Sequence, residues 1–293
     1  MSGVIHNDPL VQRHLLQVLP GMATSDGDGV KLTRIIGTSK LDSLDPFLLL
    51  DCFESDESQD YIGGFPTHPH RGFETVTYLL NGRMRHKDSA GNEGVIEPGG
   101  VQWMTAGKGI LHSEMPEQEE GLLKGFQLWV NLPASAKMNE PAYQEFPEQN
   151  TPLELRDNGT QVRVIAGQTN QGTKGPVLND YTEPTYMDIS LPAHSEFEQT
   201  LPELHNAFLY IIEGEVSLSS TESSSEMKTL QVKHLGVLSK GESVSLKSGE
   251  QGARLLLIAG KPLNEPVARS GPFVMNTQAE ILQAYSDFRR GNF

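Results

Sequence analysis

Glycine and proline, 29 of one and 18 of the other in 293 residues, cut this chain into short runs. Both residues interrupt helices: proline removes a backbone donor and clashes with the preceding turn, and glycine leaves the backbone too free. What lies between them has the look of strands. QVRVIAG, TYMDISL and ARLLLIAG are β-branched, apolar and bounded by turn residues. The expectation is an all-β fold rather than a helical bundle.

Two segments echo each other. TYLLNGRM (Thr77 to Met84) and LYIIEGEV (Leu209 to Val216) both run from an apolar strand into an x-Gly turn and a further strand. Asn81-Gly82 reads as a type I′ hairpin, since both residues tolerate positive φ. Ile96 to Val101 and Val237 to Glu242 form a second echo, each leading into another strand. Two β-domains on one plan would explain both. A length of 293 residues fits two domains of roughly 100–200 residues each. Between them lies LPASAKMNEPAYQEFPEQNTPLEL, with Pro133, Pro141, Pro147 and Pro152 and little strand pattern. It reads as the crossover, placing the domains at residues 1–150 and 151–293. Ser219 to Lys228 is polar and serine-rich and reads as a mobile hairpin loop. One helix is expected, near residues 278–289. Thr277 and Glu280 form a capping-box pattern, and Ile281, Tyr285 and Phe288 share one helical face.

Thirty-eight acidic against 23 basic residues leave a formal charge of −15. Such a surface repels phosphate backbones, so direct nucleic-acid binding is not expected. No stretch has the ~18–20 apolar residues needed to span a bilayer, and MSGVIHNDPLVQRH lacks the pattern of a secretion signal. No membrane association and a cytoplasmic location are the expectations. Cys52 is the single cysteine, so the chain can form no internal disulfide; beside Leu49, Leu50 and Phe53 it reads as a small buried hydrophobe.

Chemistry concentrates in two pairs. His68 and His70 stand two apart, as do His112 and Glu114. On a strand that spacing sends both side chains to one face. Two such pairs facing each other would aim three imidazoles and a carboxylate at one point. That set suits a divalent transition metal: Fe, Mn, Ni, Cu or Zn.

HPHRGFETVTYLLNG (His68 to Gly82), the stretch from His86 to Gly91, and PGGVQWMTAGKGILHSE (Pro98 to Glu114) together resemble the pirin family of the cupin superfamily. So do KGFQLWVNLP, KMNEPAYQ, GPFVMNT and DFRRGNF further on. The resemblance covers nearly the whole chain. It implies a bicupin: two antiparallel β-barrels of jelly-roll type, face to face, with one metal, usually Fe(II), in the N-terminal barrel. The implied ligands are His68, His70, His112 and Glu114. Glu74 occupies the place of the glutamate in the first cupin motif, which is not a ligand in pirins. Trp103 replaces the histidine of the second motif. Gly214 aligned on Gly82 puts Thr200, Pro202 and Asn206 where His68, His70 and Glu74 stand, so the second barrel is expected without metal. His194, His205 and His234 do not reproduce the ligand spacing, and His6, His14 and His86 carry no expected role.

The resemblance further implies a metal-dependent dioxygenase that cleaves a flavonol-like substrate with O2, a quercetin 2,3-dioxygenase type of reaction, with Glu114 as the base. The alternative is an iron-binding, redox-sensitive regulator with a protein partner and no turnover. Phe53, Phe73, Met104, Phe126 and Trp129 are candidates for an apolar pocket, and Arg71 and Lys108 for steering an anion.

Overall fold

The computed structural model describes residues 10–220 and 226–293. The reading of the first nine residues, His6 included, and that of residues 221–225 in the serine-rich loop lie outside the described residues.

The strands run in chain order as β1 (Leu15–Pro20), β2 (Met22–Asp26), β3 (Val30–Ile36), β4 (Phe47–Ser55), β5 (Phe65–His70), β6 (Phe73–Asn81), β7 (Met84–Asp88) and β8 (Glu93–Ile96). They continue as β9 (Val101–Thr105), β10 (Ile110–Pro116), β11 (Leu123–Asn131), β12 (Ala142–Phe146), β13 (Leu153–Leu155), β14 (Gln161–Ala166) and β15 (Thr185–Leu191). The last are β16 (Glu196–Thr200), β17 (Asn206–Ser219), β18 (Met227–Gln231), β19 (His234–Leu238), β20 (Ser243–Gly260), β21 (Ala268–Ser270) and β22 (Phe273–Met275), followed by helix α1 (Gln278–Arg289).

A seven-stranded sheet, β12-β9-β6-β11-β4-β3-β2, faces a four-stranded sheet, β5-β10-β7-β8, to make the first barrel. Val30, Leu32, Phe53, Leu79, Met84 and Ile96 pack within it. The second barrel is one curled sheet, β1-β19-β17-β20-β15-β14-β13, with β16 added on β20 and β18 on β17. All these strand pairs are antiparallel.

The two barrels share a core. Val76, Tyr78 and Leu80 of β6 pack with Phe208, Tyr210 and Leu256 of the second half in one buried cluster. This explains why β6 is buried at eight of its nine positions. Even-numbered residues meet the other barrel and odd-numbered ones the interior of their own, so its apolar run need not alternate with polar residues. Cys52 lies in the same cluster, its thiol pushed up to about 12 by burial, as a small hydrophobe would be.

Several local expectations change. Asn81-Gly82 is not a hairpin of paired strands: β6 belongs to one sheet and β7 to the other. Gly82 has φ +85°, but Asn81 is not among the residues of positive φ, as a type I′ turn requires. The chain turns a corner between sheets there. Gly214 (φ +67°) is no turn either; β17 runs through it, with register shifts between Ile211 and Glu213 and between Gly214 and Val216. The proline-rich crossover contains β12, whose Ala142 pairs with Thr105 on β9. β1 hydrogen-bonds into the second barrel, with Leu15 opposite Leu238 and Pro20 opposite His234. A single cut near residue 150 therefore does not assign every strand to the barrel it completes.

Helix α1 has the expected bounds and cap. The Thr277 side chain accepts from the Glu280 N–H, and the Glu280 carboxylate accepts from the Thr277 N–H. Ile281 and Ala284 are its buried residues, whereas Phe288 is 38% exposed. No helix among the described residues is long and apolar enough to cross a membrane.

Candidate metal centre

His68 and His70 close β5, and His112 lies on the neighbouring β10, with His112 directly opposite His68 and Ile110 opposite His70. This antiparallel register brings the three rings together. Their centroids are 4.6 Å (His68–His70), 4.5 Å (His68–His112) and 4.9 Å (His70–His112) apart. One ligand nitrogen from each lies within 4.8 Å of the others, and the Nε2 atoms of His68 and His70 are 3.0 Å apart.

The environment disfavours a charge on two of these imidazoles. Burial, followed by the neighbouring imidazoles, pushes the pKa of His112 and of His70 well below the usual histidine range. His68 Nδ1 donates to the Pro66 carbonyl at 2.8 Å, which leaves its Nε2 lone pair facing the cluster. Both ring nitrogens of His112 are buried without a hydrogen-bond partner. A buried polar atom left so is costly unless something binds it. Three imidazole nitrogens converging on one spot fit a first-row transition metal, for which imidazole is a normal ligand.

Glu114 stands beside this triad rather than in it. The register of β10 against β5 shifts between His112 and Glu114, so Glu114 pairs with Phe65. Its carboxylate accepts from Thr77 Oγ1 at 2.6 Å and from Gln127 Nε2 at 2.9 Å, and it lies outside the three-nitrogen grouping. Thr77 and Gln127 face each other on β6 and β11. Neither was singled out from the sequence; only the strand pairing reveals them.

His68, His70 and Glu114 open onto a cavity of about 580 Å³. Its apolar walls include Leu32, Leu49, Phe53, Phe65 and Trp129. Of the expected pocket residues, Phe53 and Trp129 line it. Phe73 packs behind, 4.9 Å from the His70 ring and 4.3 Å from Trp129. Phe126 faces the other way, into the core between the barrels, and Met104 sits in a separate cluster with Tyr143. The cavity's cations are Arg34 and Arg269, not Arg71 and Lys108. Arg34 grips Asp51 through two hydrogen bonds, 2.9 and 2.8 Å, and Arg269 lies 4.8 Å over the Trp129 ring. Arg71 is buried against Asp287, and Lys108 pairs with Glu140 at the surface.

Glu74 turns away from the triad. Alternation along β6 sends it to the face shared with the second half, where Thr105 (2.7 Å) and Asn179 (2.5 Å) donate to its carboxylate. Trp103 is in the core between the barrels. His86 is buried opposite Glu114 on β7, with Nε2 2.7 Å from Glu145 Oε2. In the second half His194 is exposed and His205 buried. Among the described residues, the triad is the one grouping of three or more candidate metal-ligand atoms.

Two antiparallel barrels, stacked face to face and with three convergent imidazoles inside one of them, define a bicupin with a candidate metal centre in its first barrel. The chain belongs to the pirin family: residues 29–130 match the family model described as Pirin, and residues 186–293 the Pirin C-terminal cupin domain. A pirin-like protein of Caulobacter vibrioides is 51% identical over 281 residues, covering 96% of this chain and 99% of the relative. Pirin of Homo sapiens is 45% identical over 267 residues, covering 90% and 88%. The crystal structure of quercetin 2,3-dioxygenase from Acinetobacter baumannii matches with a TM-score of 0.85 at 36% identity, over 96% of this chain and 98% of that one.

Proposed function

We propose that this protein is a metal-dependent dioxygenase that opens the ring of a flavonol-like substrate with O2 and releases carbon monoxide. The observation that carries the proposal is the convergence of three imidazoles, two of which, His68 and His70, line a cavity with aromatic and aliphatic walls. The similarity to the Acinetobacter baumannii quercetin 2,3-dioxygenase supports the substrate class.

In this reading His68, His70 and His112 hold a divalent metal, and Glu114 is its fourth ligand. Fe(II) is the proposed ion; Mn, Ni, Cu and Zn suit the same donors. When bound, the metal supplies Lewis acidity that lowers the pKa of a substrate hydroxyl. Glu114 takes that proton as general base, with Thr77 and Gln127 fixing its carboxylate. Leu32, Leu49, Phe53 and Trp129 enclose the aromatic body of the substrate and exclude water from it.

The test is anaerobic reconstitution with Fe, Mn, Ni and Cu in turn, followed by O2 uptake and loss of flavonol absorbance. Turnover with at least one metal is the expected result. Tight, saturable metal binding with no O2 uptake for any flavonol would instead leave a redox-sensitive regulator.

A further inference from the structure

Arg71 follows His70 directly, and through it the far end of the chain reaches the candidate metal centre. Its side chain is buried. Nη1 donates to Asp287 Oδ2 of α1 at 2.7 Å, and Nε donates to the Lys108 carbonyl. The guanidinium carbon lies 4.4 Å from the centre of the Phe293 ring. The Arg71 backbone is held as well. Its N–H donates to the Pro272 carbonyl at 3.3 Å, and its carbonyl accepts from the Val274 N–H at 3.0 Å.

The next residue is gripped just as closely. A Cβ on Gly72, at φ +87°, would stand 1.9 Å from the Val274 carbonyl oxygen. Buried Lys137 donates to the carbonyls of Gly72 (2.7 Å) and Val274 (3.1 Å) and to Asn131 Oδ1 (2.6 Å), tying β22 to this corner. The second ligand strand is caught at its approach: a Cβ on Gly109, at φ +143°, would meet the Phe293 ring at 2.6 Å. Residues 272–293 thus touch the chain beside His70 and just before the strand that carries His112.

This end segment packs in two ways. α1 and β22 share a small cluster formed by Ala268, Phe273, Met275, Ile281 and Ala284, and Val274 of β22 packs with Leu48 and Phe73 of the first barrel, beside Trp129. Both sets of contacts lie next to the residues that place His70, whose ring packs 4.9 Å from Phe73. Metal affinity is sensitive to such supports, because a ligand displaced by a fraction of an ångström binds worse.

We propose that Arg71 and Asp287 are positioning residues for the metal centre: α1 and β22 fix His70 relative to His112 and so set metal affinity from the opposite end of the chain. The proposal rests on reading the three histidines as a metal site.

The experiment is titration of full-length protein with Co(II), read by visible absorption, for wild type, Asp287→Ala, Asp287→Glu, Phe293→Ala and His112→Ala. Thermal unfolding in the presence of a chelator runs in parallel. Asp287→Ala and Phe293→Ala should weaken Co(II) binding by about 10–100-fold and alter the spectrum. Asp287→Glu should restore both, while Asp287→Ala should also lose stability in chelator, because buried Arg71 is left without its carboxylate. Should Asp287→Ala fail to fold, Phe293→Ala and the isosteric Asp287→Asn carry the same comparison. Wild-type affinity and spectrum in the folded Asp287 and Phe293 variants would overturn the positioning role alone. If wild type takes up no stoichiometric Co(II), or His112→Ala binds it equally well, the metal reading itself has failed and the proposal falls with it.

Discussion

Thr77 Oγ1 lies 2.6 Å from Glu114 Oε1, the shorter of the two contacts that hold this carboxylate beside the imidazole triad. Thr77→Val keeps the shape of the side chain and removes the donor. Turnover or metal affinity should fall about 10–100-fold, with Thr77→Ser close to wild type. Metal titration and O2 uptake on the three proteins check this. A fully active Thr77→Val would mean that the hydroxyl does not matter to Glu114.

Histidines in and out of the triad should behave differently. His112→Ala should lose bound metal, whereas His194→Ala and His234→Ala should keep it, since neither belongs to the three-nitrogen grouping. Elemental analysis of metal per chain is the measurement. Equal losses in both sets would place the metal elsewhere.

Glu74 should make stability depend on pH. Burial raises its carboxyl from 4.5 to about 7, against opposing hydrogen bonds from Thr105, Trp103 and Asn179. The native chain therefore keeps a proton that the unfolded chain releases at lower pH. This contribution is full below about pH 4.5 and is lost as pH rises through about 7. A shift of that size corresponds to roughly 3 kcal/mol. Glu74→Gln cannot titrate, so it should gain stability relative to wild type as pH is raised from about 5 to about 8. Urea denaturation across that range should show the two curves separating; parallel curves would contradict the assignment.

The two barrels should be coupled through Tyr78, whose hydroxyl donates to Asp188 at 2.7 Å across their shared core. Arg254 also binds Asp188, at 3.1 and 2.7 Å, so the aspartate would keep a partner in Tyr78→Phe. The loss should be about 1–3 kcal/mol in chemical denaturation, without a change in metal content. A cost below a few tenths would mean that the pair adds nothing net.

The strand character, the end helix and the triad were legible because each depends on local rules. Spacing by two put His68 and His70 on one face, and Thr277 with Glu280 announced the cap. Glu114 obeys the same spacing, but β5 carries an extra residue opposite the step from His112 to Glu114, which puts Phe65 rather than Pro66 across from it. Irregularities of that kind depend on how strands pair, which local periodicity does not encode. Thr77 opposite Gln127, and Arg269 reaching Trp129 from 140 positions away in sequence, are invisible for the same reason. Asn81-Gly82 misled because a favourable turn dipeptide says where a chain bends, not which sheet it enters next. Arg71 looked like a free cation because its partner Asp287 is brought to it only by the complete fold.

The placement of β1 beside β19 has a practical cost for anyone dividing this protein. A fragment ending near residue 150 would carry an orphan ribbon with nothing to zip onto. Its complement would present the bare margin of β19 to any passing chain, an invitation to self-association. The halves are therefore better studied together, or recombined by moving residues 10–20 with the second barrel.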